Sequence, residues 1–289
     1  MRYVQVGRGY RFRSVRTVLD EMPDMECLGV VGRSGRAGDS TRFFTDVVSC
    51  LGEVTPDVVM CFSPTRVVEV MEACVRRGVP VVIQPSDLVE LDSEAVGGVD
   101  SGLVQVGQYQ LFSPGYLARR AVIDLGEIGE VTQVHISAPS WTSMALIRAY
   151  LGVSDEEVVV STHRFEEGMV LVSLDFPGGR QGIYEYACHG TRRRTTGRLL
   201  IRGTMGEISG DQVVRQTEDL ITTRYLVRGP GGITLGDRTL WTNPHPAMGW
   251  SESEQSVVHF LAAISEWISG GSPPHPLKEG LLDVRLTQA

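Results

Sequence analysis

The chain has no C-x-x-C pair, no H-x-x-x-H spacing and no apolar run near the roughly 18 residues that a membrane span needs. Its five cysteines (Cys27, Cys50, Cys61, Cys74, Cys188) are odd in number and scattered through apolar segments, which argues against a zinc ribbon or a dithiol centre. They read as core or neutral surface thiols, and no metal is expected. Basic charge is also short: 27 Lys and Arg against 35 Asp and Glu leave a formal charge of -8, so no nucleic-acid partner is expected. The local exception is Arg192-Arg193-Arg194 with Arg198, a solvated loop or a clamp for an anion. The N-terminus runs straight into an apolar strand without a leader pattern, which predicts a cytoplasmic protein with no membrane partner. Repeats and low-complexity tracts are absent. What remains, 289 residues with 42% hydrophobic and 21% charged, is globular and long enough for two domains.

The organising stretch is Met1 to Phe12. The apolar run Tyr3, Val4, Val6 empties into Gly7-Arg8-Gly9, and Val15, Val18, Leu19 and Met22 then recur on one helical face. Strand, glycine turn and helix in that order suit a pyrophosphate, with Gly7 making the turn and Gly9 admitting the phosphate, although Phe12 holds the third glycine's place. The same residues fit a glycine turn without a ligand. A second strand, Cys27 to Val31, ends in Gly32-Arg33-Ser34-Gly35-Arg36. No acid stands there to receive ribose hydroxyls, so a dinucleotide bound here would be NADP sooner than NAD, with Arg33 and Ser34 on the 2'-phosphate; an ordinary polar turn is the other reading.

A short helix over Asp39 to Cys50, a strand Asp57 to Cys61 opening into Ser63-Pro64, a helix closed by Gly78, and strands Val79 to Ile83 and Leu103 to Val106 complete an alternating βαβ half. Ser63, Pro64 and Gln84 thereby reach the same sheet edge as Gly7, where a cofactor would lie. From about Ser113 the texture changes to a helix, a strand Val131 to Ile136, a short helix Ser143 to Leu151 and a succession of strands. This predicts a Rossmann-type parallel α/β domain over residues 1–110 and an α+β domain over 111–289, with a mostly antiparallel open sheet carrying helices on one face. A late helix marked by Val257, Leu261, Ile264 and Ile268 is expected on that second sheet.

The phrases Val4 to Gly9, Pro56-Asp57-Val58-Val59 to Ser63-Pro64, Gly78 to Pro85, Phe112 to Tyr116, Leu125 to Val131 and Leu199 to Gly206 occur in the order and spacing of the Gfo/Idh/MocA family, named for glucose-fructose oxidoreductase and inositol dehydrogenase. The resemblance covers almost the whole chain. It implies NAD or NADP in the first domain, a small-molecule substrate, and a homodimer or homotetramer formed through the C-terminal sheet. It also exposes two losses. Where family enzymes carry Glu-Lys-Pro this chain has Gln84-Pro85-Ser86, and where they carry Asp-x-x-x-His-x-x-Asp it has Ala138, Thr142 and Ala145.

The remaining candidates for proton transfer are Tyr109, Thr142 and His163, each of which also fits a packing or surface role. Ser140, Trp141, Thr142 and Ser143 lie on the substrate side by resemblance. The expected function is an NADP-dependent reductase of an activated C=N, C=C or C=O acceptor, which needs orientation more than acid-base help. A catalytically silent dinucleotide-binding regulator or assembly subunit, or a non-redox enzyme reusing the cleft, are the alternatives.

Overall fold

The computed structural model describes residues 1–7, 12–32, 42–89, 99, 102–138, 142–154, 157–165, 169–187 and 197–288. The chain divides into two units, Met1–Tyr109 with Ser253–Leu281, and Gln110–Glu252 with Leu282–Ala289. Seven α-helices are described: α1 (Phe12–Glu21), α2 (Val47–Glu53), α3 (Val67–Arg77), α4 (Pro114–Asp124), α5 (Ser143–Leu151), α6 (Glu252–Ile268) and α7 (Leu277–Gln288). None is long and apolar enough to cross a membrane.

The first unit is built on six short strands whose residues are apolar on both faces, the pattern of a sheet covered on both sides. These are β1 (Arg2–Val6), β2 (Glu26–Val31), β3 (Phe43–Phe44), β4 (Val58–Cys61), β5 (Val81–Ile83) and β6 (Val104–Val106), all parallel, in the order 3-2-1-4-5-6. That is the order of a doubly wound dinucleotide-type sheet. Val4, Val6, Val58, Val59, Val81 and Ile83 are fully buried. The expected helix over Asp39 to Cys50 proves to be β3 followed by α2, which starts where the Asp46 carboxylate accepts the Ser49 N–H at 2.8 Å.

The free edge of β6 is covered from the end of the chain. Val106 N donates to His275 O at 2.8 Å, His275 N donates to Gln105 Oε1 at 3.1 Å, and Gln105 pairs with Pro276 as an antiparallel bridge. His275 is therefore a buried part of this unit. The late helix α6 also belongs to it, from Ser253 onward, where the expectation had placed it on the second sheet. The apolar stripe of α6 names a buried face but not which sheet receives it. Phe260 settles the matter by meeting the Tyr109 ring edge-on at 5.0 Å.

The second unit holds β7 (Val131–Ser137), β8 (Val159–Arg164), β9 (Met169–Phe176), β10 (Arg180–Ala187), β11 (Arg198–Gly203), β12 (Gly206–Ser209), β13 (Gln212–Gln216), β14 (Ile221–Gly229), β15 (Gly232–Leu235) and β16 (Arg238–Thr242). They form one sheet in the order 16-15-14-13-12-11-7-10-9-8, antiparallel throughout except for β7 beside β10. Every second residue faces α4 and α5 and forms the core: Val134, Ile136, Leu174, Ile201 and Ile208 against Ala118, Val122, Met144 and Ile147.

The opposite face carries a ladder of polar groups across five strands. Arg202 reaches Glu207 at 3.4 Å and Gln133 at 3.1 Å, Gln133 donates to Gln181 at 2.7 Å, and Gln181 donates to Asp175 at 3.0 Å. Beyond it, Ile221, Tyr225 and Val227 of β14 are each about 60% exposed or more. On the helix side, Arg148 of α5 meets Asp283 of α7 at 2.6 Å, with side chains 4% and 0% exposed.

Candidate functional site

In a parallel sheet the carboxyl ends of the strands collect at one edge. In the first unit these ends are Gly7 after β1, Phe62-Ser63-Pro64 after β4, Gln84-Pro85 after β5 and Gly107-Gln108-Tyr109 after β6. Gly7 has φ of 81°, its N–H donates to Val31 O at 2.9 Å, and its carbonyl accepts from Gln5 Nε2 at 2.7 Å. A Cβ at Gly7 would stand 2.9 Å from the Ser63 Cβ and 3.1 Å from the Phe62 carbonyl carbon. The left-handed turn and the close approach both require glycine. Gly9, Arg33 and Ser34 lie outside the described residues, as do Ser140, Trp141, His189 and Arg192 to Arg194.

Gln84 is 4% exposed, and its Nε2 donates to the Tyr109 hydroxyl at 3.1 Å. The structure thus joins two of the residues singled out in the sequence. The Tyr109 ring is fixed by Phe260, and burial, with the nearby Asp87 charge adding to it against the Gln84 hydrogen bond, pushes the phenol up to about 12. It holds its proton at neutral pH.

Two neighbours escaped the sequence reading. Asp87, 4% exposed, follows Pro85 in the same turn; its N–H donates to Gln84 O at 3.0 Å and its carboxylate accepts from Ser86 Oγ at 3.2 Å. Gln108 is 1% exposed, and its Nε2 has no hydrogen-bond partner among the described residues. A buried donor left so costs about 1–3 kcal/mol unless something accepts from it. No family motif flagged either residue, and burial is not written in a polar side chain. The only lysine of the chain, Lys278, is exposed on α7 and does not stand in for a buried one.

In the second unit Thr142 is the residue from which α5 departs, and its Oγ1 accepts from Gln110 Nε2 at 3.1 Å. Gln110 Oε1 is buried without a partner among the described residues. His163 is exposed on the edge strand β8, its ring edge-on to Phe165 at 4.5 Å. Ala138 and Ala145 bring no side-chain polar atom. Cys50, Cys61 and Cys74 are buried, and burial pushes each thiol up to about 12, so they are neither nucleophiles nor ready ligands. Among the described residues no group of three or more His, Cys, Asp or Glu could hold a metal ion.

No family model matches the chain. Inositol 2-dehydrogenase 1 of Saccharopolyspora erythraea is 30% identical over 109 residues, which span 35% of this chain and 32% of that enzyme, about a third of its length. Solved structures match over the whole chain. A myo-inositol dehydrogenase from Corynebacterium glutamicum is 16% identical with a TM-score of 0.74, over 100% of this chain and 95% of that one. Levoglucosan dehydrogenase, in complex with NADH and levoglucosan, is 14% identical with a TM-score of 0.74 over the same shares. An oxidoreductase from Agrobacterium radiobacter, in complex with NAD+, L-tartaric acid and magnesium, is 17% identical with a TM-score of 0.71, over 100% and 94%. With its 3-2-1-4-5-6 parallel sheet and its mostly antiparallel ten-stranded sheet, the protein has the two-domain fold of the Gfo/Idh/MocA-type oxidoreductases.

Proposed function

We propose that the protein is an oxidoreductase that binds a nicotinamide dinucleotide at the Gly7 turn and reduces a small, electron-poor C=O, C=N or C=C acceptor. The observation that carries this reading is the Gln84–Tyr109 hydrogen bond at the end of β5, a neutral amide on a protonated phenol where the enzymes it resembles have a lysine. The bare backbone at Gly7 suits a pyrophosphate, and the NAD+ or NADH of two of the similar structures supports a dinucleotide here. When bound, that cofactor supplies two electrons as hydride. Tyr109, whose oxygen already accepts from Gln84, keeps its own proton for the acceptor as the C–H bond forms, and regains one from water. Thr142 and His163 are the other proton sources in this reading. Ser63, Pro64 and Gln84 line the cofactor edge with Gly7.

The reductive direction follows from what is missing. Oxidising a secondary alcohol needs a base to take the hydroxyl proton, a contribution of about 10² to 10⁴ in rate. Gln84, Tyr109 and Thr142 carry no charge with which to do so at neutral pH. Absorbance of the reduced dinucleotide tests this: it should fall with an enone, imine or activated aldehyde and should not rise with myo-inositol. Steady polyol oxidation would overturn the reading, and tight dinucleotide binding without any turnover would favour a silent regulator.

NADP is the preferred cofactor in this reading, because Arg33 and Ser34 offer a cation and a hydroxyl to a 2'-phosphate. Arg33→Asp should reverse the preference in a fluorescence titration; equal affinities of the parent protein for NAD and NADP would refute it. The exposed Ile221, Tyr225 and Val227 support a second copy on the open face of the large sheet. Sedimentation velocity should show a dimer or tetramer in which Tyr225→Glu yields monomer.

A further inference from the structure

We infer that β8, the outer strand of the ten-stranded sheet, pairs antiparallel with the β8 of a second copy of this chain, about a two-fold axis at Thr162. This contact is made by the edge of the sheet and is separate from the open-face contact proposed above. Among the described residues no strand pairs with the outer side of β8, which contains neither lysine nor proline and keeps its register, from Val159 opposite Asp175 to Arg164 opposite Val170, without a bulge. It is an edge left open to pairing. Val159 is 63% exposed, and Phe165, just past the strand, is 39% exposed.

The ladder fixes which backbone groups are free. Phe165 N donates to Met169 O at 2.9 Å, and bonded residues alternate along an antiparallel strand, so Val159, Ser161 and His163 also bond to β9 while the N–H and C=O groups of Val160, Thr162 and Arg164 point to the open edge. A second copy whose Thr162 stands opposite this one satisfies them all, Val160 with Arg164 and Thr162 with Thr162. The side chains agree with that register. It sets the exposed Val159 of each copy against the exposed Phe165 of the other, on the face where the His163 ring already meets Phe165 edge-on at 4.5 Å, and it sets Ser161 against His163. No like charges meet, since Arg164 faces Val160. A slip of two residues either way keeps the backbone bonds but puts Phe165 opposite Ser161 or Glu157.

A seam one strand long buries less than the roughly 1,200–2,000 Å² of a standard interface, so it forms only at high protein concentration. The Tyr225→Glu chain, its open face blocked, reads the seam alone. Its sedimentation velocity should pass from monomer to dimer as concentration rises. In that background Thr162→Pro, which removes an outward N–H that β9 does not use, should weaken the association about tenfold with the melting temperature kept. Val159→Lys leaves the backbone intact and should do the same. Thr162→Cys reports the axis: residues directly opposite in a bonded pair stand about 5.5 Å apart at Cα, within disulfide reach, so mild oxidation should link two copies about tenfold faster than in Ser161→Cys, whose cysteines lie diagonally apart. The parent chain is the blank for its native thiols. A Tyr225→Glu chain that stays monomeric at every concentration, undiminished association in Val159→Lys, or linking in Thr162→Cys no faster than in Ser161→Cys refutes the seam. Equal association of Tyr225→Glu and the parent would instead refute the open-face contact and leave the seam standing.

Discussion

Replacing Tyr109 by phenylalanine is expected to lower acceptor reduction by about 10² to 10⁴ in kcat while leaving dinucleotide affinity and the melting temperature close to those of the parent. The substitution removes one oxygen and keeps the ring that meets Phe260 edge-on. It leaves Gln84 Nε2 without its phenol partner, a small structural cost beside the loss of the proposed proton donor. The size of the effect comes from the product: hydride addition to a carbonyl makes an alkoxide, a far stronger base than phenolate, so the proton moves downhill even from a phenol pushed up to about 12. The same shift fixes the sign of the pH dependence. A donor with a raised pKa is loaded at every pH below it, so the parent's pH–rate profile should lack a basic limb from Tyr109 until pH approaches 12. Single-turnover measurements with saturating acceptor separate the rate effect from binding. A Tyr109→Phe protein with undiminished kcat would move the proton source elsewhere.

Arg148→Ala should be among the damaging single truncations for stability, costing about 3–5 kcal/mol. The guanidinium and the Asp283 carboxylate are 4% and 0% exposed and meet at 2.6 Å, so removing the cation leaves a carboxylate in the interior without Arg148. Against a total of about 5–15 kcal/mol for a native protein, that loss would bring much of the chain near its unfolding midpoint at moderate temperature. Urea denaturation followed by circular dichroism reads it directly. The double variant Arg148→Met with Asp283→Leu should recover most of the deficit, because two packed apolar side chains need no charge partner. If the single variant loses less than about 1 kcal/mol, water reaches Asp283 and the pair counts only as a surface bridge.

The architecture was legible in the sequence where period and punctuation agree. The fully apolar β4 and β5, the glycine turns after β1 and α3, and α5 over Ser143 to Leu151 all follow from residue pattern. Where length or composition works against the pattern, the sequence is silent. β3 is two residues long. α7 follows Pro273-Pro274 and contains Gly280, which together mask the helix. β13, β15 and β16 are only four or five residues long (QVVRQ, GITL and RTLWT) and show no sustained alternation, so cross-strand pairing rather than propensity makes them strands.

The site was half legible. Gly7, Gln84 and Tyr109 stand at strand ends that the βαβ pattern locates. Gln108 and Asp87 were missed because nothing local distinguishes a polar residue aimed inward from one aimed at water. Only the tertiary structure, by burying them to 1% and 4%, gives them weight.

The first unit is assembled from two distant pieces of chain, Met1–Tyr109 and Ser253–Leu281. During synthesis the parallel sheet is therefore out of the ribosome long before α6 and the strap at His275 exist. Over that interval the edge of β6 is unsheltered and Tyr109 lacks the Phe260 ring beside it. The nascent protein thus carries an unsatisfied strand edge for the time taken to make about 170 further residues, roughly 10 to 30 seconds at about 5–20 residues per second. A nascent-chain complex stalled before residue 253 should accordingly be more protease-sensitive around Val104 to Tyr109 than one stalled after α7 has emerged. The proposed site would then be completed only once residues 253–281 have been made.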